Sequence, residues 1–321
     1  MTQNANETIQ PNEAAMIKAV VDATIADQEK NHKPGEVARR AVHTKSHGTV
    51  DAEFTVHGGL DAISPVGLFA TPATYKAKVR FSNGSPGITK DILPNDRGVA
   101  IELSGVPGKK LLPGSEDSDK FNFLLANNET FFIRRLEDYT PIQALLSQGK
   151  LLDMIKQYPP EGRMLLGTVL KLIKNLLHIS FYSQVCYEFG EGRAVKYALL
   201  PRQKDSFLSF PNVFDADYLR HAIEHDLSEG PATFDFCLQY QQSGDPIEDP
   251  TVKWNGPFIP VGQLTLLKRT GPLLEATGEE LSFNPWRATE PHRPLGWANR
   301  ARNPVYRADF AWRTAANAKA K

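Results

Sequence analysis

The chain has 321 residues, of which 41% are hydrophobic and 23% are charged, and its 37 Lys and Arg side chains balance 37 Asp and Glu. This composition is that of an ordinary globular protein, and the zero net charge excludes a global field that attracts nucleic acid or an acidic membrane. Two cysteines without a CxxC motif, Cys186 and Cys237, sit in apolar runs and indicate small buried side chains.

No apolar run approaches 18 residues, so we expect no stable membrane insertion. The N-terminal residues MTQNANETIQPNE are polar and lack the pattern of a secretion signal. A reducing, cytoplasmic setting is therefore expected.

The first half of the chain predicts one helix and four strands. Apolar residues recur at helical spacing from Glu13 to about Lys30. Segments rich in β-branched and aromatic residues follow at 53–58, 75–83, 98–105 and 121–133, separated by turn residues. Because the connections are too short for crossover helices, we expect antiparallel pairing.

The second half predicts helices at 141–158 and 162–179, divided at Pro159–Pro160, and a third helix at 215–229. Strand signals return at 184–189, 194–200, 232–241 and 261–269, and the chain is helical from about Pro294. The pattern predicts an α+β fold in which about eight antiparallel strands close into a barrel surrounded by helices. We expect a tail and helix at 1–30, a single domain at 31–315 and a short tail at 316–321.

Three segments carry the residues with the clearest chemistry. They are RRAVHTKSHG (39–48) with KVRFSN (78–83), FNFLLANNETFFIRR (121–135) and HRPLGWANRARNPVYRADFAWR (292–313). Taken in this order they resemble the catalases, which carry Arg-x-x-His, Arg-Phe-Ser, Asn-Asn and Arg-x-x-x-Tyr motifs in the same succession. Residues 184–200 and 257–266 also resemble catalase segments, so the resemblance spans roughly 35–315.

The resemblance implies a catalase-like haem barrel in which Tyr306 is the axial ligand of the iron, catalases being the known case of Tyr ligation. A phenol with an ordinary pKa of about 10 needs a nearby cation to bind as phenolate. Arg302 and Arg313 lie four residues before and seven after Tyr306, on nearly the same helical face. The resemblance assigns Arg302 to the phenolate and Arg313 to a haem propionate, while Pro304 is expected to kink the helix.

On the opposite side of the haem, the resemblance implies that His43 is the distal acid–base residue. An imidazole titrates near neutrality and can carry a proton from one peroxide oxygen to the other, as the O–O bond breaks and a ferryl species forms. Ser82 matches the serine that orients this histidine. NNETFF is shorter than the family segment, which leaves Asn127 and Asn128 as candidates for the asparagine that polarises peroxide; Asn127 is preferred.

The resemblance also assigns Arg40 and Arg80, together with Arg313, to the two propionates of a haem b. The planar guanidinium matches carboxylate geometry, so a chain without net charge builds a local anion site. Phe131 or Phe132 is expected to line the haem edge, although both also suit the barrel core.

The implied function is a haem-dependent, peroxide-consuming oxidoreductase, acting by dismutation of hydrogen peroxide or by oxidation of small organic donors. From its length, the chain looks like a reduced version of the larger catalases without their wrapping segment and C-terminal domain, and we therefore expect an open haem site that favours organic reductants. Two alternatives remain: an allene oxide synthase-like enzyme of fatty-acid hydroperoxides, and a haem carrier or sensor without turnover. Val42, which we count among the cofactor contacts, stands before His43 where allene oxide synthases have Thr. A homodimer is compatible with the resemblance.

Two other patterns suggest different chemistry. His221-Ala-Ile-Glu224-His225 fits the HxxEH pattern of a zinc peptidase class, but no third ligand is evident and a solvated helix face is favoured. Residues 164–179 form an amphipathic stretch with Lys171 and Lys174. Packing against the barrel is favoured over contact with a lipid or membrane.

Overall fold

A computed structural model describes residues 7–33, 35–203, 212–274 and 278–319, and the structural statements below concern these residues. The helices are α1 (Glu13–Asn31), α2 (Leu136–Ser147), α3 (Leu151–Gln157), α4 (Pro159–Val169), α5 (Tyr218–Glu229) and α6 (Gly296–Lys319). The strands are β1 (Ser46–Val56), β2 (Ala73–Asn83), β3 (Arg97–Ser104), β4 (Phe121–Ala126), β5 (Phe181–Tyr182), β6 (Tyr187–Glu188), β7 (Ala194–Pro201), β8 (Ala232–Tyr240) and β9 (Phe258–Leu266).

Eight of these strands close into an antiparallel barrel. The order β5-β4-β3-β2-β1-β9-β8-β7 is completed by a pairing of β5 with β7, in which Phe181 lies opposite Leu199. The short β6 extends the sheet beyond β7, outside the ring. The α+β class and the barrel of about eight antiparallel strands with surrounding helices, both predicted from the sequence, are confirmed.

Aromatic side chains fill the interior of the barrel. Phe54, Phe123, Tyr197 and Phe236 come from four different strands, and all four are buried. The ring centroid of Phe236 lies 5.1 Å from that of Phe54 and 4.7 Å from that of Phe123. Rings at these separations add to the stability that apolar burial supplies. The centre of the barrel is therefore packed, and a large ligand has to bind at one end of it.

The sequence prediction overextends two elements. The strand predicted at 121–133 ends at Ala126, because the backbone of Asn127 pairs with Arg97 and the chain then turns. The helix predicted at 162–179 ends at Val169, and only Leu176–His178 regain helical turns. The chain leaves the helical conformation there because Ile173, Leu176 and Leu177 are buried in the core.

The predicted helix at 141–158 is two helices. α2 begins earlier, at Leu136, and α3 follows after Gly149, which adopts a left-handed backbone with φ of 71°. A glycine in this conformation commonly ends a helix. Pro159 then opens α4, where its fixed φ and missing N–H are tolerated.

Helix α6 carries the C-terminal motif and packs against helix α1. It continues through Pro304 to Lys319, so that residues 316–319 are helical where the sequence predicts a tail. Helix α1 packs against it, with Gln28 Nε2 donating to Asp309 Oδ1 at 2.7 Å. In the described parts of the chain, none of the helices has the length and apolar character required to cross a membrane.

Candidate active site

The predicted distal residues meet at one end of the barrel. His43 shortly precedes β1, Ser82 lies near the end of β2, and Asn127 directly follows β4. Neighbouring strands are antiparallel, so the starts of β1 and β3 lie at the same end as the ends of β2 and β4. Gly98 of β3 links these positions, since it lies opposite Ser82 on one side and Ala126 on the other.

His43 is held from three directions. Its Nδ1 lies 3.0 Å from Ser82 Oγ, its backbone N–H donates to Gly84 O at 3.1 Å, and its carbonyl accepts from Arg80 Nη2 at 3.0 Å. The backbone is left-handed, with φ of 57°, a conformation that nonglycine residues adopt infrequently and often at functional sites. With Nδ1 occupied, Nε2 is the nitrogen that can exchange a proton with a substrate.

The charge state of His43 follows from its surroundings. Burial lowers its pKa below the ordinary 6.5, the Asp96 carboxylate opposes this effect, and the positive charges of Arg80, Arg302 and Arg40 reinforce it. The imidazole is therefore neutral at pH 7 and able to accept a proton.

The two candidate asparagines have different partners. Asn127 Oδ1 accepts the backbone N–H of Arg97 at 2.8 Å, which turns its Nδ2 into the available donor. Asn128 Nδ2 instead donates to Thr130 O at 2.9 Å, within its own turn. Both asparagines border a cleft of about 280 Å³ that Lys171 and Tyr182 help to line, so the difference between them lies in their hydrogen bonds. The geometry favours Asn127 as the donor toward a ligand.

Arg302 and Tyr306 face each other along α6. Arg302 Nε lies 3.4 Å from Tyr306 Oη, and the guanidinium carbon lies 5.5 Å from the centroid of the Tyr306 ring. Burial lowers the pKa of Arg302, but the phenols of Tyr306 and Tyr187 outweigh this and raise it above the ordinary value. Arg302 is therefore a fixed cation beside the Tyr306 oxygen.

The three arginines predicted to bind propionates form one buried cluster, which also contains Glu279. Arg40 Nη1 and Arg80 Nη2 lie 2.7 Å and 3.1 Å from Glu279 Oε1. Arg313 Nη1 donates to Glu279 O, and its Nη2 donates to Leu281 O at 2.9 Å. We call these three arginines, Arg40, Arg80 and Arg313, the arginine cluster.

Aromatic residues flank the site. Phe131 and Phe132 are half-buried with ring centroids 5.1 Å apart, and both pack against the main core. Phe131 also lies 6.3 Å from Trp297 at the start of α6. Val42, next to His43, is 41% exposed.

These features can be compared with known proteins. The chain is 28% identical over 295 residues to the catalase-related peroxidase of Mycolicibacterium paratuberculosis (strain ATCC BAA-968 / K-10), covering 86% of this chain and 89% of that protein. Among solved structures, a bacterial catalase, a fungal catalase and catalase A from Saccharomyces cerevisiae match with TM-scores of 0.66, 0.60 and 0.63. The chain is thus similar in sequence to a catalase-related peroxidase and has the fold of the solved catalases.

The chain is distant from the solved catalases in sequence and shorter than they are. Its identities to the three are 18%, 15% and 16%, over 98% or 99% of this chain. It spans only 63%, 64% and 67% of their lengths, so the structural likeness concerns the fold. No protein-family model matches it.

The residues present fit a haem. The buried Nε atoms of Arg80 and Arg313 have no hydrogen-bond partner in the described part of the chain, so the cluster retains donors for further carboxylates. His43 supplies an imidazole, and its carbonyl accepts from Arg80 Nη2 of the cluster at 3.0 Å. Tyr306 supplies a phenol on α6, the helix that also carries Arg313 of the cluster.

The competing sequence patterns have ordinary structural explanations. In the HxxEH pattern, His221 Nδ1 pairs with Asp215 Oδ2 at 2.5 Å, and His225 is exposed. Among the described residues, no group of three or more metal-ligating side chains occurs. Cys186 and Cys237 are buried free thiols, and burial raises the pKa of each to about 12. The stretch 164–179 packs in part, because Leu170 and Leu172 remain 65% and 51% exposed.

Sequence reasoning missed several residues that shape the site. Tyr187, the second phenol beside Arg302, stands in the apolar run QVCYEF and has the appearance of a core residue. Glu279 lies in TGEELS, which has no recognisable motif. A signal did exist for Glu279, since three buried arginines require a counter-ion, but nothing in the sequence specifies which acid provides it.

Proposed function

We propose that this protein is a haem-dependent oxidoreductase that consumes peroxide. The observation that supports this most strongly is the arginine cluster, which contacts the His43–Ser82 pair through Arg80 and shares α6 with the Tyr306–Arg302 pair. The resemblance to a catalase-related peroxidase over most of both chains supports the same reaction class. The proposed haem-binding domain covers residues 31–315.

Tyr306 would hold the iron of a haem b, and Arg302 would stabilise the anionic form of its oxygen through the contact at 3.4 Å. The arginine cluster would bind the two propionates, and Phe131, Phe132 and Val42 would contact the porphyrin. Bound haem supplies the redox chemistry that cleavage of a peroxide O–O bond requires.

Side chains of this protein carry out the proton transfers to and from the substrate. Neutral His43 accepts a proton at Nε2 from the near oxygen of peroxide and returns it to the far oxygen, which then leaves as water or an alcohol. The Ser82 contact at Nδ1 fixes the ring orientation. Asn127 Nδ2 donates a hydrogen bond to the peroxide, because its amide oxygen is held by Arg97.

We further propose that oxidation of small organic donors prevails over dismutation of hydrogen peroxide. The relative that matches over most of its length is named a peroxidase, and Val42 beside His43 is 41% exposed, which leaves the distal side accessible. Oxygen release that greatly exceeds oxidation of a dye donor would contradict this preference.

Two experiments test the proposal against its alternatives. Absorption spectra of purified wild-type and Tyr306→Phe protein should show a ferric haem whose charge-transfer bands are lost or shifted in the variant. Addition of hydrogen peroxide should then change the wild-type spectrum, whereas an unchanged haem spectrum would favour a carrier or sensor. Product analysis with a fatty-acid hydroperoxide separates reduction to the alcohol from rearrangement to an allene oxide.

A further inference from the structure

Glu279 occupies the centre of the arginine cluster. Its Oε1 is shared by Arg40 Nη1 at 2.7 Å and Arg80 Nη2 at 3.1 Å, and its side chain is only 12% exposed. Its backbone carbonyl accepts from Arg313, while Oε2 is buried without a hydrogen-bond partner among the described residues. One carboxylate thus lies where the proposed function requires cofactor carboxylates to bind.

The electrostatics of the cluster explain why an acid is needed there. Burial, together with the charge of Arg40, lowers the pKa of Arg80 to about 9 and that of Arg313 to about 10. The Glu279 carboxylate opposes this loss of charge. A second acid, Asp309, lies 3.8 Å from Arg313 Nε, but its Oδ1 is committed to Gln28 and to the Ala41 N–H.

The charges also indicate what happens when two propionates arrive. Three arginines with Glu279 and Asp309 carry a net positive charge, and two propionates would make this group net negative if Glu279 stayed. Removal of the Glu279 carboxylate from the group leaves it neutral. Because a buried unbalanced charge is costly, release of Glu279 is the favoured response.

We infer that Glu279, through its ion pairs with Arg40 and Arg80, is the counter-ion of the arginine cluster and that the carboxylates of a bound haem displace it. The inference rests on the proposed function, since it concerns the same site. Glu279 then stabilises the haem-free protein and competes with the cofactor. Its role is in ligand binding, and it takes no part in proton transfer to peroxide.

The test compares Glu279→Gln with Glu280→Gln in the full-length chain. Glu280 is exposed and acts on Arg40 and Arg313 only through its charge, so Glu280→Gln makes the same charge change without breaking a contact. The measurements are haem titration followed by Soret absorbance, haem transfer to an excess of apomyoglobin, and thermal unfolding of the haem-free protein.

For Glu279→Gln we expect haem affinity to rise about tenfold, the size of one charge-assisted hydrogen bond, and the Tm of the haem-free protein to fall. Glu280→Gln should stay within about twofold of wild type. Affinity of Glu279→Gln that equals that of Glu280→Gln, or is weaker than wild type, would show that Glu279 is not displaced.

A second variant keeps the test informative if Glu279→Gln does not fold without haem. Glu279→Asp keeps the charge but shortens the side chain, so it cannot reach both arginines equally and should bind haem more tightly than wild type. Wild-type affinity in Glu279→Asp would then overturn the inference. Failure of the wild-type protein to bind haem at all would instead overturn the proposed function.

Discussion

The ring of His43 lies directly on the backbone of Gly98. A Cβ built on Gly98 would come within 2.5 Å of His43 Cε1 and 2.6 Å of Nδ1. No side chain other than glycine's hydrogen fits there without moving the imidazole. The absence of a side chain at Gly98 therefore allows the His43 ring to take up its position.

We predict that Gly98→Ala lowers the peroxide-dependent rate by about 100-fold, because a shift of about 1 Å in a reacting group has an effect of this size. The rate should fall with little change in Tm, since the imidazole can move aside more easily than the strand. Stopped-flow absorbance after peroxide addition measures the rate. Gly87→Ala is the matched control, because a Cβ at Gly87 meets nothing within 4 Å; equal rates in the two variants would refute the prediction.

Ser82→Ala should slow the same step about tenfold, because loss of a hydrogen bond worth about 1 kcal/mol leaves the His43 ring free to rotate. Ser82→Thr restores a hydroxyl and should recover most of the rate. The rate of Ser82→Ala should still fall toward acid pH, although its maximum is lower. The burial that lowers the pKa of His43 is retained in this variant. A full rate in Ser82→Ala would remove Ser82 from the mechanism.

Asn127→Ala and Asn128→Ala separate the two candidate asparagines. Asn127→Ala removes the donor that the Arg97 contact orients, so the peroxide-dependent rate should fall by about 10- to 100-fold. Asn128→Ala removes a hydrogen bond to Thr130 O and should cost about 1 kcal/mol in unfolding free energy, with little change in rate. The reverse pattern would assign the role to Asn128.

Two buried histidines should make the folded protein less stable at acid pH. Burial lowers the pKa of His47 and of His292 to about 4, from an ordinary 6.5. Below pH 6.5 the unfolded chain binds protons that the folded protein does not, so unfolding free energy falls with pH until about pH 4. The loss is on the order of 3 kcal/mol for each histidine.

Urea denaturation between pH 7 and pH 4 measures this dependence. His292 is fully buried and its Nε2 accepts the Leu68 N–H at 3.0 Å. His292→Gln offers a nontitrating acceptor and should make the pH dependence shallower, by about the share of one histidine. The exposed His225, replaced in the same way, should leave the slope unchanged; a slope that His292→Gln does not alter would exclude His292 as a source.

Much of the fold could be predicted from local patterns. The predicted strand 75–83 corresponds to β2 at Ala73–Asn83, and the predicted helix from Glu13 to about Lys30 corresponds to α1 at Glu13–Asn31. Alternation and helical spacing reflect which face is buried, so these elements follow from sequence. The helix end at Val169 could not be predicted, because burial of Leu176 and Leu177 against distant strands decides it.

The contacts of the site residues also divide into those that local sequence predicts and those that depend on the tertiary fold. Arg302 and Tyr306 are four residues apart on one helix, so their contact follows from helical geometry. Arg40 and Glu279 are separated by most of the chain, and their ion pair exists only once the barrel has closed. The sequence already favours Asn127 over Asn128, but the physical reason, a hydrogen bond from the Arg97 N–H at the start of β3, is visible only in the structure.

The barrel closes through a short seam. Strand β5 has only two residues, and it joins β4 through the pair Ala126–Tyr182. So few backbone hydrogen bonds give this joint a low free energy of local opening, and its amides should exchange with deuterium ahead of those in β1 and β2. Asn127 directly follows this seam, so brief separations of β4 from β5 admit solvent beside the distal donor while the rest of the barrel stays closed.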